Sequence, residues 1–89
     1  MDIKPYSDIK KDGYIIREFS QNVSTLELVW HRDKEDRTVQ ATHETDWQVQ
    51  LDNEIPQRLS KNKLFIPKET YHRLIKGTGD LVVKIWQKE

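Results

Sequence analysis

Two histidines and an aspartate are the residues best placed to do chemistry in this chain. His31 and Asp33 lie two positions apart, in the run His31-Arg32-Asp33. On extended backbone, side chains two apart point the same way. His72 follows 41 residues after His31, just past Pro67-Lys68-Glu69-Thr70, a segment with turn chemistry. Two imidazoles and one carboxylate brought together from neighbouring strands form a facial triad. That donor set suits non-haem Fe(II) and leaves open positions on the ion. Arg37 lies four residues after Asp33. Gln50 is a candidate ligand-binding amide because Gln48 and Gln50 alternate with Trp47, Val49 and Leu51. The glutamines face either a cavity or solvent. His43, in Thr42-His43-Glu44-Thr45-Asp46, reads as an exposed loop histidine.

The elements that must position these residues have a period of two rather than 3.6. Strands are expected at Tyr14–Phe19, Leu26–His31, Thr38–Thr42, Trp47–Leu51, Glu54–Leu59, Leu64–Ile66, Tyr71–Ile75 and Leu81–Trp86. In the second of these, Leu26, Leu28 and Trp30 share one face and Glu27, Val29 and His31 the other. Asp52-Asn53 suits a tight hairpin, and Pro56 puts its strand at an edge or bulge. Gly77-Thr78-Gly79-Asp80 reads as a turn. The polar stretch before Gly13, residues 1–13, reads as an N-terminal arm. No segment carries ten residues of helical periodicity. The pattern is that of an all-β barrel or sandwich in a single domain, residues 1–89.

Composition narrows the function classes. Fifteen basic residues balance fifteen acidic ones, which argues against nucleic acid as a partner. There is no cysteine, which excludes a disulfide framework, a thiol nucleophile and a Cys-based zinc site. No apolar run approaches the roughly 18 residues needed to span a bilayer, so no membrane partner is expected. Met1-Asp2-Ile3-Lys4-Pro5 lacks the apolar core of a signal peptide, and the expected location is cytoplasmic. Only 35% of the 89 residues are apolar, a thin supply for a small core. A homodimer covering more apolar surface would help, with Trp30 and Trp86 as core or dimer contacts.

Two stretches also resemble the cupin superfamily. Trp30-His31-Arg32-Asp33-Lys34-Glu35-Asp36-Arg37-Thr38-Val39 resembles the first cupin motif, and Phe65-Ile66-Pro67-Lys68-Glu69-Thr70-Tyr71-His72-Arg73 the second. With the hairpin between them, the resemblance covers roughly residues 28 to 85. It implies a double-stranded β-helix, or jelly-roll barrel, of two antiparallel sheets with a site inside the barrel mouth. In that pattern His31 matches the first histidine and His72 the histidine of the second motif. Asp33 stands where a second histidine is usual and Arg37 where a glutamate is usual; a guanidinium cannot ligate a cation, so in that pattern Arg37 either pairs with Asp33 or Asp36 or faces an anionic ligand. Glu44, Lys61 and Glu69 replace glycines, and Lys76 replaces a final asparagine.

Three functions follow. One is a small-molecule-binding protein whose pocket uses Arg37, Gln50, His31 and His72, with or without a divalent metal ion (Fe, Mn, Zn or Ni) on His31, Asp33 and His72. Another is a metal-dependent dioxygenase or isomerase acting on a small polar or anionic molecule. The third is a non-catalytic dimeric scaffold.

Overall fold

A computed structural model describes residues 5–25 and 28–88. Among them are eight β-strands and no α-helix: β1 (Ser7–Lys10), β2 (Ile15–Phe19), β3 (Asp36–Ala41), β4 (Gln48–Leu51), β5 (Gln57–Arg58), β6 (Leu64–Ile66), β7 (His72–Ile75) and β8 (Leu81–Lys88). They form two antiparallel sheets. The larger has the order β1-β2-β8-β3-β6 and the smaller β5-β4-β7.

Register decides which side chains enter the space between the sheets. Opposite residues share a face, so Ile15↔Ile85, Phe19↔Leu81, Val39↔Ile85 and Ala41↔Val83 build one continuous inner row. Val49 and Leu51 of β4 answer from the smaller sheet, and Trp47 and Leu81 are fully buried. The Trp47 indole N–H donates to the Gly79 carbonyl at 3.0 Å, so its polar atom is satisfied inside the core.

The outlying elements depart from the expected pattern. Residues 7–10, expected within an arm, pair with β2 as an edge strand, Ser7↔Glu18 through Lys10↔Ile15. All four are exposed, so no apolar alternation marked them. The strand expected at Leu26–His31 is absent over its described part. Residues 28–30 are irregular, and only His31 pairs, in an isolated bridge to His72. Leu26 and Glu27 lie outside the described residues. The strand expected at Glu54–Leu59 shrinks to Gln57–Arg58, at the edge of the smaller sheet and directly after Pro56. A proline cannot donate to the ladder, which accounts for the shortening. At the Asp52-Asn53 turn, Glu54 N–H donates to the Leu51 carbonyl and Asn53 alone takes a positive φ, 63°.

The turn before β8 is fixed by contact with the turn before β4. Asp46 accepts hydrogen bonds from the Thr78 N–H at 2.8 Å and the Thr78 hydroxyl at 2.9 Å. These bonds hold the Asp46 carboxyl below its ordinary range. Gly77 packs so closely here that a Cβ would collide with Asp46 Oδ1 and lie 2.7 Å from the Trp47 amide nitrogen. Gly77→Ala is expected to destabilise the fold by about 1–3 kcal/mol, the range for forced overpacking. Chemical denaturation followed by circular dichroism checks it, and an unchanged midpoint would contradict the close approach.

Candidate functional site

The ladder brings the three candidate donors together. His31 and His72 exchange two backbone hydrogen bonds, His31 N–H to the His72 carbonyl at 3.0 Å and His72 N–H to the His31 carbonyl at 2.8 Å. Their rings stand with centroids 4.4 Å apart. Asp33 follows two residues on, and its carbonyl accepts the Glu69 N–H at 2.7 Å. Asp36 Oδ1 accepts the Lys68 N–H at 2.8 Å. These two bonds tie the loop carrying Asp33 to the turn that leads into His72.

Both rings are oriented by backbone carbonyls. His31 Nδ1 lies 2.9 Å from the Val29 carbonyl oxygen and His72 Nδ1 lies 2.8 Å from that of Thr70. A carbonyl only accepts, so each Nδ1 carries the proton and the neutral ring holds its lone pair at Nε2. His72 is 6% exposed. Burial pushes its imidazolium below the ordinary value of 6.5, the Thr70 carbonyl and Asp33 oppose this, and the nearby His31 and Arg37 charges reinforce it. The folded chain therefore binds fewer protons at His72 than the unfolded chain does between the lowered value and 6.5. The associated stability is full above pH 6.5 and is lost as pH falls through the lowered value. Stability should decline on acidification below pH 6.5, and His72→Gln should flatten that decline in denaturation measured from pH 7 to 5.

His72 Nε2 lies 3.3 Å from Asp33 Oδ2, and Arg37 Nη1 approaches the same oxygen at 3.3 Å. Neither contact is aligned as a hydrogen bond, and Asp33 Oδ2 is a buried acceptor without a donor among the described residues. With His72 neutral, two lone-pair atoms face each other there, an arrangement that a shared cation relieves. One ligand atom from each of His31, Asp33 and His72 lies within 4.8 Å of the other two. The donor set of two imidazole nitrogens and a carboxylate oxygen thus fits a divalent metal ion, and the carbonyls on Nδ1 are the outer partners that such histidines use. His31 is exposed and His72 buried, so the cluster lies where the interior meets solvent.

Arg37 reaches this point because β3 sends Arg37, Val39 and Ala41 inward; Arg37 lies opposite Ile66 and Gln87. It pairs with Asp33, whereas Asp36 is engaged by Lys68. Its Nε is buried and donates to nothing among the described residues. Beside the cluster, a cavity of about 300 Å³ runs between the sheets, with His31, Asp33, Arg37 and His72 in its lining.

Gln50 is a correction: it does not line this cavity. Val49 and Leu51 point inward, so alternation turns Gln50 to the outer face of the smaller sheet. There it accepts from Arg73 Nε at 3.0 Å and donates to the Glu54 carbonyl at 3.1 Å. Tyr71, with Arg32 over its ring, and Arg73, over Trp30, also lie off the His72 face. Trp30 is 42% exposed and Trp86 packs beside Tyr14, so neither joins the core. His43 contacts the Thr42 hydroxyl and the Asp80 carbonyl, away from the cluster. Arg17, in the cavity lining, was missed. The signal was its two-residue phase with Phe19. It is already engaged, with Nε and Nη2 donating to Asp8 at 2.7 and 2.9 Å and its guanidinium 3.7 Å from the Tyr6 ring centre.

Glu69 takes φ of 61°, the left-handed conformation that glycine adopts freely, in the turn where a glycine is usual in cupins. Among the described residues, its carboxylate makes an exposed pair with Arg32, at 3.2 Å. Glu69→Gly should stabilise the fold by about 1 kcal/mol, because the left-handed cost exceeds what an exposed ion pair contributes. A lowered thermal midpoint would overturn this account of the turn.

No protein-family model matches the sequence, and no curated protein is detectably similar to it. Solved structures do resemble it. A chain from the crystal structures of the DMSP lyases RdDddP and RnDddQII aligns with 85% of this chain and 37% of its own length, at TM-score 0.71 and 12% identity. KdgF from Halomonas sp. aligns with 100% of this chain and 86% of its own, at TM-score 0.68 and 16% identity. Fe(II) HppE aligns with 93% of this chain and 48% of its own, at TM-score 0.68 and 8% identity. The chain therefore spans less than two thirds of the lyase and of HppE. These neighbours share the cupin fold, and this protein is an all-β, two-sheet jelly roll of that kind.

Proposed function

We propose that this protein is a cupin-fold binding protein that holds a divalent metal ion on His31, Asp33 and His72 and a small anionic molecule in the adjoining cavity. The observation that carries the reading is the buried Asp33 Oδ2, a carboxylate oxygen with no hydrogen-bond donor, facing a neutral imidazole nitrogen at 3.3 Å. Leaving such an acceptor unsatisfied is costly, and a cation shared with His31 and His72 satisfies it. Support also comes from Fe(II) HppE, a fold neighbour solved with iron and with substrate. When bound, such an ion supplies Lewis acidity or an oxygen-activating centre, the chemistry that a dioxygenase or isomerase draws on. Fe, Mn, Zn and Ni all accept this donor set.

Arg37 sets the charge of the pocket. Its positive charge offsets Asp33, so an added divalent ion leaves the site net positive and favours an anionic ligand. The orphaned Nε adds a donor for that anion. His31 and His72 serve as ion ligands and as walls of the pocket.

The scaffold reading draws on the Asp33–Arg37 pair, which neutralises the cluster without an ion. The cavity of about 300 Å³ favours a ligand instead. A homodimer in the cytoplasm belongs to the proposal. Ile9 and Phe65, 59% and 55% exposed on the larger sheet, are apolar surface that a second copy would cover. Titration of the chelator-treated chain with Co²⁺, read by absorption, tests the site. About one equivalent with an imidazole-containing spectrum is expected. A featureless titration would reject metal binding.

A further inference from the structure

The cavity is chemically one-sided. Its unsatisfied polar atoms, Arg37 Nε and Asp33 Oδ2, lie at one end, with His31 and His72. Beyond them the lining includes Val39, Val49, Leu74, Leu81, Val83 and Ile85, none of which offers a side-chain hydrogen bond. The other charged lining residue is Arg17. Asp8 offsets its charge and takes its Nε and Nη2, and its guanidinium lies over the ring of Tyr6, which also lines the cavity. A sugar or polyol would therefore bury hydroxyls against aliphatic walls, and a dianion would find a receptor for only one of its charges. A volume of about 300 Å³, equal to roughly ten waters of bulk liquid, leaves room for an apolar body behind a single head group.

From this asymmetry we infer that the ligand is a monoanion with an apolar body, a small amphiphilic carboxylate in its simplest form. The carboxylate lies at the Arg37 end, and the hydrocarbon lies against Val39, Val49 and Leu74. The inference rests on the cavity being the ligand site proposed above. It replaces a generally polar ligand with one that is mostly hydrocarbon. Arg37 is the head-group receptor, and Val39, the inward residue two positions along the same strand, sets how long the body can be.

The test is a chain-length series on the full chain, using acetate, butyrate and hexanoate, with adipate and hexan-1-ol as controls. Binding is measured by calorimetry on chelator-treated protein and again with Zn²⁺ present. Affinity is expected to rise about fourfold per methylene from acetate to hexanoate, following the transfer free energy of a buried methylene. Adipate and hexan-1-ol should each bind at least ~10-fold more weakly than hexanoate, because each lacks one half of the match. A flat series, adipate equal to hexanoate, or no binding by any acid would overturn the inference. Val39→Phe, which fills the apolar part, should weaken hexanoate far more than acetate. Should that variant fail to fold, the wild-type series decides alone. Zn²⁺ uptake with a flat series rejects the ligand class and keeps the metal site, whereas a steep series without Zn²⁺ uptake rejects the metal site and keeps the ligand class.

Discussion

His72→Ala is expected to reduce divalent-metal affinity by about 100-fold or more, while leaving a folded β-protein. Removing the ring deletes one of three ligands outright, and changes confined to outer partners of a metal site already cost about 10–100-fold. His72 is also the buried member of the cluster, so the position it vacates lies on the dry side of the site. His31 alone then presents an imidazole, from the exposed side. Two controls separate ligation from folding. His72→Gln keeps much of the volume but offers a poor ligand, so it should lose metal almost as fully. Far-ultraviolet circular dichroism should retain the strand signature in both. Equal metal uptake by wild type and His72→Ala would end the assignment of this residue.

The second large effect is on stability. Asp33→Ala should destabilise the chain by about 3 kcal/mol, at the lower end of the cost of breaking a buried ion pair. The side chains of Arg37 and Asp33 are only 17% and 13% exposed, so solvent screens the pair weakly. Truncation leaves the guanidinium buried with no counter-charge. For a domain of this size the midpoint should fall by roughly 12–24 °C. The double variant Asp33→Leu/Arg37→Met should recover most of the loss, because apolar replacement of both partners removes the uncompensated charge. A double-mutant cycle measures the coupling. Asp33→Ala within about 0.5 kcal/mol of wild type would mean that the pair is no part of the fold's stability.

The sequence foreshadowed the fold where one sheet face is buried and the other is not. In β4, β6 and β8, buried Val49, Leu51, Ile66, Leu81, Val83 and Ile85 alternate with outward residues, so period two was readable. Ser7–Lys10 gave no such pattern, because that strand buries no apolar side chain and is held to β2 by backbone pairing and the Asp8–Arg17 ion pair. The apolar residues at 28–30 misled in the opposite direction. Val29 and Trp30 are largely exposed on irregular chain, and backbone pairing begins only at His31.

At the site, the two-residue step from His31 to Asp33 and the return at His72 marked the cluster. Arg37 was visible as a mismatch with the cupin pattern, and its pairing with Asp33 was one of the expected alternatives. Gln50 stays open between cavity and solvent in the sequence because an amide on an alternating strand signals neither face by itself. Its neighbours Val49 and Leu51 settle the phase once both are seen buried. Arg17 stayed hidden for a related reason, since a charged residue on an inward phase reads as solvent-facing until its carboxylate partner is known.

The bridge between His31 and His72 has a consequence for how this protein can change over time. Reciprocal main-chain bonds root the two imidazoles at a separation set by peptide geometry, independent of which side chains flank them. Trp30, Arg32, Tyr71 and Arg73 are therefore free to be exchanged without spreading the rings apart. The outer surface can drift toward new associations while the paired rings stay anchored, a separation of duties that a cluster held only by side-chain packing would lack.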